Sequence, residues 1–414
     1  MKVEYIFNKI KDNVRKYGFV NFFKRASIKI FHILNSSINN ILNKKAYKEQ
    51  LDKIINNKKY TNIIVFYPFF DFNMPNFQRF QQLAIALGNT ENTLFFYCTP
   101  NNIYDNICGF KNIENNLYVT NQYKLLIEHD IKNRVMFFVS TDLKFNINDI
   151  YEAKKRKDKI IYDYVDEIHY DIVGEISKEL MLKHESIMND EEIFALTTSE
   201  KLYNDAIQYR TKNISLVTNG VKIEDFKINE EYISEKFKKL KEFKKDKDIV
   251  LCYYGAFASW FDFELIKYIS KNKKIGIVLI GIDYDKSLVK SKITDLENVI
   301  FLGCIEYKNL KYYANEADIL TIPFLVNDIT NATSPVKLFE YMALQKPIIT
   351  TDMEECRKYK SVNIAKNYDD FLEKTYKIKQ DLENGILDKA ILFEEALENS
   401  WENKAKEIVK MLSK

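Results

Sequence analysis

The chain has 414 residues, 46% of them hydrophobic and 14% aromatic, which excludes a disordered chain and leaves room for two domains with substantial cores. Its 62 basic and 59 acidic residues give a net charge of only +3, which excludes a general affinity for nucleic acid. The five cysteines (Cys98, Cys108, Cys252, Cys304 and Cys356) have neither a CxxC nor a paired spacing, which favours reduced thiols in a cytosolic protein and argues against structural zinc.

The charge is uneven. Residues 1–50 hold eleven Lys/Arg and three Asp/Glu, a net of +8, leaving −5 for the rest. Residues 1–60 read as a basic helical extension. In it, Phe19, Phe22, Phe23, Ile28, Ile30, Phe31 and Leu34 alternate with Lys24, Arg25 and Lys29. Aromatics and cations on one helix suit the surface of an anionic membrane. The same spacing suits a helix that packs its apolar side on the main body. No apolar run approaches the ~18 residues that span a bilayer, and charges run through the N-terminal apolar stretch, so it does not read as a secretory signal.

Apolar runs at 62–67, 93–98, 134–140, 159–164, 193–198 and 214–218 read as buried strands, separated by helical stretches at 77–87, 174–189 and 199–210. Gly88 reads as the residue just past the first of these helices. The alternation predicts a doubly wound α/β domain, with ligands at the carboxyl ends of its strands. Three loops there hold candidate residues: Asn76, Gln78 and Arg79; the acidic segment Tyr162-Asp-Tyr-Val-Asp-Glu167 with nearby His169; and Thr198-Ser199. Asp163 and Asp166 stand at a strand end, where a carboxylate can act as a general base or simply cap the next segment. His169 is a further candidate there, although a single histidine is more often structural. Asn219-Gly220-Val221 is a turn signal, and 227–248 is a charged helical connection.

A second α/β domain is predicted from strands at 248–254, 275–281, 299–303, 318–323, 346–351 and 362–365. Gly255 directly after the first strand lets backbone approach a ligand closely. The absence of GxGxxG weakens a nicotinamide-binding reading. Between the strands at 318–323 and 346–351 comes a polar loop, 327–333, and then Ser334-Pro-Val-Lys-Leu-Phe-Glu-Tyr-Met-Ala343. Ser334 suits an N-cap and Pro335 the first helical position. Such a helix start is a phosphate site, where Lys337 adds a charge. Glu340 shares its face and is able to accept hydrogen bonds from a ribose. An ordinary capped helix with a surface Lys–Glu pair is the competing account. Residues 387–413 read as one long amphipathic helix containing Trp401.

The run Ser334–Ala343 followed by Lys346-Pro-Ile-Ile-Thr-Thr351 resembles the donor-nucleotide helix of GT-B glycosyltransferases. "YYGAxxxWFDFxLi" from Tyr253, "FLGxIxYxxLxxYxxxADI" from Phe301, the "YDxxD" at Tyr162 and Asn219-Gly-Val are similar to segments of the same family. The resemblance covers residues 60–414 and is densest over 249–351. It implies two Rossmann-like domains facing across a cleft: 61–222, joined by 387–414, for the acceptor; 223–248 as connection; and 249–386 for the donor. It implies diphosphate contacts from Thr333, Ser334 and Lys337, a ribose contact from Glu340, and donor contacts from Gly255, Ala256 and Ser259. Leu302 to Ile305 would border the base. Asn76, Gln78, Arg79 and His169 would meet the acceptor, with Asp163 or Asp166 as base and Lys337 aiding diphosphate departure. Many retaining members carry a Glu eight residues before the ribose Glu. That position is Ala332 here, which leaves retention or inversion open.

The implied activity is transfer of a sugar from a nucleotide-diphosphate sugar to a glycan or lipid-linked acceptor in bacterial cell-surface polysaccharide synthesis. It would need no cofactor or metal, and would occur in the cytoplasm or at the inner face of the plasma membrane. A catalytically silent sugar-nucleotide-binding subunit is the alternative that Ala332 and Lys222, in place of a usual Asp, keep open. A sugar-nucleotide epimerase of the same fold is a third.

Overall fold

The computed structural model describes residues 19–74, 77–168 and 176–413. Its strands form two sheets. Numbered in chain order, the first has eight strands, β3 (Phe110–Glu114), β4 (Leu117–Thr120), β2 (Thr93–Cys98), β1 (Asn62–Phe66), β5 (Arg134–Val139), β6 (Lys159–Tyr164), β7 (Phe194–Thr197) and β8 (Ile214–Leu216) in spatial order, and the second has six, β11 (Val299–Phe301), β10 (Ile275–Asp283), β9 (Ile249–Phe257), β12 (Ile319–Ile322), β13 (Ile348–Thr351) and β14 (Val362–Ala365). The chain divides into two compact units, residues 1–162 and 163–414.

The first unit begins with helices α1 (Phe19–Leu42) and α2 (Lys44–Ile55). Strands β1 (Asn62–Phe66), β2 (Thr93–Cys98) and β5 (Arg134–Val139) are wholly buried and mostly apolar, each opening on one polar residue, and β1 pairs in parallel with both others. Continuous burial is what a strand covered on both faces requires. Helices α3 (Arg79–Gly88), α4 (Tyr123–Glu128) and α5 (Ile147–Lys155) and the start of β6 (Lys159–Tyr164) complete it. The sequence reading missed β3 (Phe110–Glu114) and β4 (Leu117–Thr120), an antiparallel pair. Asn115, at φ +39°, makes their turn. Gly88 is the last residue of α3 and not the residue beyond it. Its role is close packing: a Cβ there would lie 2.9 Å from Leu117 Cβ.

The second unit continues with α6 (Lys178–Met188), β7 (Phe194–Thr197), α7 (Glu200–Ala206), β8 (Ile214–Leu216) and α8 (Glu235–Lys244). Then come β9 (Ile249–Phe257), α9 (Phe263–Ile269), β10 (Ile275–Asp283), α10 (Ser287–Ser291), β11 (Val299–Phe301) and α11 (Tyr307–Glu316). Last are β12 (Ile319–Ile322), α12 (Asp328–Asn331), α13 (Val336–Ala343), β13 (Ile348–Thr351), β14 (Val362–Ala365), α14 (Tyr368–Glu383), α15 (Lys389–Glu398) and α16 (Trp401–Leu412). All described pairs in the six-stranded sheet are parallel. Three expectations are corrected here. The loop at 327–333 holds a helical turn, α12, because Asn327 Oδ1 accepts the Thr330 N–H while Thr330 Oγ1 accepts the Asn327 N–H, both at 3.0 Å. The C-terminal helix is two helices, because the chain breaks at Asn399 and Ser400 recaps it by accepting the Asn403 N–H. That break is used: Val221 N–H donates to Asn399 O, and Trp401 N–H donates to Val221 O, both at 3.0 Å. Third, β9 runs on through Gly255 to Phe257, so Gly255 lies inside the strand, paired with Gly281 of β10.

Candidate donor site

The site is built on the carboxyl ends of β9, β10 and β11 and on the start of α13. Gly255 (φ +148°) and Gly281 (φ +141°) adopt backbone that side chains rarely allow. A Cβ on Gly281 would sit 1.8 Å from Gly255 O, and Gly281 N–H donates to Gly303 O at 3.0 Å. Three glycines thus stand side by side across three strand ends, where no side chain blocks the backbone.

The Lys337 side chain lies across this glycine floor. A Cβ on Gly255 would meet Lys337 Cε at 2.0 Å and Nζ at 2.8 Å. The ammonium stands 5.7 Å from the Tyr253 ring centroid and 6.0 Å from that of Phe324. Among the described residues it makes no hydrogen bond or ion pair. Burial lowers its pKa, with Glu340 pulling the other way. A desolvated cation beside bare backbone is an incomplete site, completed by an anion. The N–H groups of Val336 and Lys337, on the first turn of α13, also find no acceptor among the described residues, and they carry the positive end of the helix dipole.

Glu340 is 5% exposed. Burial raises its pKa, opposed by the nearby Tyr254 hydroxyl, Lys337 and Tyr307. The Tyr254 hydroxyl faces this carboxylate without reaching hydrogen-bond geometry and is itself buried with no partner. Lys337 and Glu340 therefore share one pocket, as the helical spacing requires.

Ser334 is not the cap of α13; Pro335 occupies that position. Its hydroxyl instead accepts the Asn219 N–H at 3.2 Å, and its carbonyl accepts Asn219 Nδ2 at 2.6 Å. The turn at 219–221 was legible, but this partner was not. Thr333 Oγ1 donates to Ile329 O at 2.9 Å. Ser199 caps α7, accepting the Leu202 N–H, and also donates to Ala332 O at 2.9 Å. Ala256 is half-buried within β9, and its carbonyl accepts the Tyr253 hydroxyl at 2.8 Å. Ser259 is exposed, its N–H held by Asp285 at 2.9 Å. Trp260 is half-buried and packs against the core.

The candidate base and acceptor residues are less concentrated. Asp163 is fully buried in β6, whereas Asp166, just beyond the strand, is half-buried. A group without solvent access is poorly placed to reach an acceptor hydroxyl, so Asp166 is the stronger candidate of the two. Gln78 caps α3 and Arg79 is buried at 5% exposure. Asn76 and His169 lie outside the described residues. Among the described residues, no group of three or more His, Cys, Asp or Glu is placed to hold a metal ion.

Sequence reasoning passed over Glu355. It is 1% exposed, 2.7 Å from Lys358 Nζ, and burial pushes its pKa up to about 7. Lys358 also stands 3.7 Å from Glu200 at the start of α7. The repeated charges at 354–358 hid it, since exposure cannot be read from such a run.

Comparison with known proteins agrees with this geometry. Residues 249–381 match the family model described as Glycosyl transferases group 1. Over 149 residues the chain is 28% identical to TuaH of Bacillus subtilis (strain 168), a protein named for a glycosyltransferase role in teichuronic acid biosynthesis; the match spans 36% of each chain, about a third of that relative's length. Among solved structures, a glycosyltransferase from Rickettsia africae ESF-5 superposes with a TM-score of 0.60 at 12% identity, covering 86% of this chain and 98% of that one. HepE of Anabaena, solved with UDP and glucose, gives 0.58 at 13% identity, covering 85% and 99%. Residues 249–381 are therefore similar to group 1 glycosyltransferases, and the chain has the GT-B fold.

Proposed function

We propose that this protein transfers a sugar from a nucleotide-diphosphate sugar to a glycan or lipid-linked acceptor during assembly of a bacterial surface polysaccharide, without a metal ion. The observation that carries this reading is Lys337: a desolvated ammonium that makes no hydrogen bond or ion pair among the described residues, beside the glycine floor and the free N–H groups of the first turn of α13. In the proposal this cluster binds the donor diphosphate and stabilises the charge that grows on it as the glycosidic bond breaks. Glu340, backed by Tyr254, takes the ribose hydroxyls. Asp166 removes the acceptor proton if configuration inverts. The relatives named for glycosyltransferases support the reaction class, and the UDP held by HepE makes a UDP-sugar the first donor to try.

A second reading, a silent nucleotide-sugar-binding subunit, draws on Ala332. It is 1% exposed and occupies the position of the frequent sugar-contacting Glu. The test begins with thermal unfolding in UDP, GDP, dTDP and CMP. A ligand at ~100 times its dissociation constant adds about 2.7 kcal/mol of stability. Stabilisation by one nucleotide supports the site and names the base; no stabilisation by any would remove the donor-site reading. Release of that nucleotide from its sugar in the presence of acceptor then separates the enzyme from the silent subunit.

A further inference from the structure

In the first unit, α1 is mounted the opposite way from an ordinary amphipathic surface helix. Its polar stripe faces the body. Asn35 donates to Asn106 at 2.9 Å, Asn121 donates to Ser36 at 2.6 Å, and Gln122 donates to Asn40 at 2.5 Å. Its apolar stripe faces out. Ile30 is 59% exposed, Phe31 60%, Leu34 57%, Ile38 55% and Ile41 79%. This excludes the account in which the helix buries its apolar side on the body. An outward apolar stripe of this size marks an interaction surface. Its charge indicates which kind: residues 19–42 contain Lys24, Arg25 and Lys29 and no Asp or Glu.

Beside the inward stripe lies a cavity of about 450 Å³, lined among others by Ser36 of α1 and by Tyr67, Asn102, Asn121, Tyr123 and Lys144. Among the described residues, no carboxylate lines it. Its walls are preset: Asp71 accepts the N–H groups of Asn102, Ile103 and Tyr104 at 2.7, 2.7 and 2.8 Å. Lys144 is exposed at the rim, its ammonium held by Phe69 O at 2.5 Å. Partial burial of its ammonium lowers its pKa and Lys29 of α1 adds to this, while Asp142 and Asp71 oppose it. Lys29 and Lys144 thus bring positive charge to one place, next to donors from tyrosine, asparagine and serine. A roomy, donor-lined cavity with cations at its rim suits a phosphate.

We propose that α1 lies on an anionic bilayer with its apolar stripe in the lipid, and that the adjoining cavity receives the phosphate-bearing head of a membrane lipid. A surface helix of this kind binds through buried apolar area and attraction to anionic headgroups together. No described helix is long and apolar enough to cross a membrane, so α1 rests on the surface. Binding follows from the first unit alone; that the lipid is the sugar acceptor rests on the transferase reading above.

The experiment uses the full chain in vesicle flotation. It should float with phosphatidylcholine–phosphatidylglycerol vesicles and much less with phosphatidylcholine alone. Phe31→Asp and Leu34→Asp, at solvent-facing positions, should keep the unfolding temperature and lose flotation. Farnesyl phosphate should bind the full chain in titration calorimetry and farnesol should not. Lys144→Ala should weaken farnesyl phosphate about tenfold or more, as loss of a hydrogen bond to a charged group does. Failure to float, flotation unchanged by Phe31→Asp, or a self-associated species that Phe31→Asp dissolves would each overturn the membrane assignment. Farnesyl phosphate binding indifferent to Lys144→Ala would overturn the cavity assignment. Neither readout uses a nucleotide, so lipid binding without nucleotide binding overturns the transferase reading alone, and the reverse overturns this inference alone.

Discussion

The Lys337 side chain crosses Gly255 so closely that a Cβ at residue 255 would lie 2.0 Å from Lys337 Cε. Position and charge are coupled by this contact: the lysine lies low over the strand ends only because residue 255 has no side chain. Gly255→Ala should therefore do two things. The φ of +148° costs an alanine about 1–3 kcal/mol of stability, and the lysine is displaced from the floor. Urea unfolding reads the first and nucleoside diphosphate affinity the second. A variant with full affinity would show that the floor is not part of the site.

Lys337→Ala should leave the fold intact and weaken nucleoside diphosphate binding by about 1.5–3 kcal/mol, the range for hydrogen bonds to charged groups. In the parent protein, affinity should fall as pH rises through the depressed pKa of Lys337, because the neutral amine attracts the diphosphate less. The alanine variant should lose that slope. Calorimetry across the alkaline range checks both, and equal affinity in the two proteins would remove Lys337 from the site.

Glu355 supplies a stability prediction in the neutral range. Its folded pKa, raised to about 7 by burial, exceeds the unfolded value, so the folded state holds the proton longer. Stability from this group is full below the unfolded carboxyl pKa and is lost as pH rises through about 7. The loss amounts to ~3 kcal/mol at most, at about 1.4 kcal/mol per unit. Glu355→Gln should flatten this fall. Chemical denaturation of both proteins across the acid-to-neutral range measures it; parallel profiles would refute the assignment.

Ser334→Ala should cost about 0.5–1.5 kcal/mol, the net worth of one hydrogen bond, by leaving the Asn219 N–H without its acceptor. Glycine at the same position should cost no less, because the loss is of a tie to Asn219 rather than of a helix cap. Were glycine to restore stability, as it nearly does at N-caps, the capping account would return.

The fold was legible because buried parallel strands leave a strong mark. Runs such as 93–98 and 134–139 are buried at every position and, after their first residue, almost wholly apolar, and few other arrangements tolerate that. The pair β3–β4 escaped because Phe110–Glu114 buries only its first residue and so carries no such run. Lys337 and Glu340 could be found because three residues along a helix is a fixed geometric relation. The partners of Ser334 and Ser199 could not, because Asn219 and Ala332 lie 115 and 133 residues away in the chain.

By itself, the sequence determined most of the buried strands, the helix that carries Lys337 and Glu340, and the glycine at 255, since each follows from local periodicity or backbone freedom. Only the tertiary structure decided what those elements face. Periodicity shows that α1 has an apolar and a polar side, but which side turns to the body depends on the asparagine and glutamine partners at 106, 121 and 122 that the fold brings to it. It likewise decided that Asp163 is sealed in β6 while Asp166 keeps access to solvent. Burial is a property of the whole packed chain, and two carboxylates three residues apart carry no local sign of it.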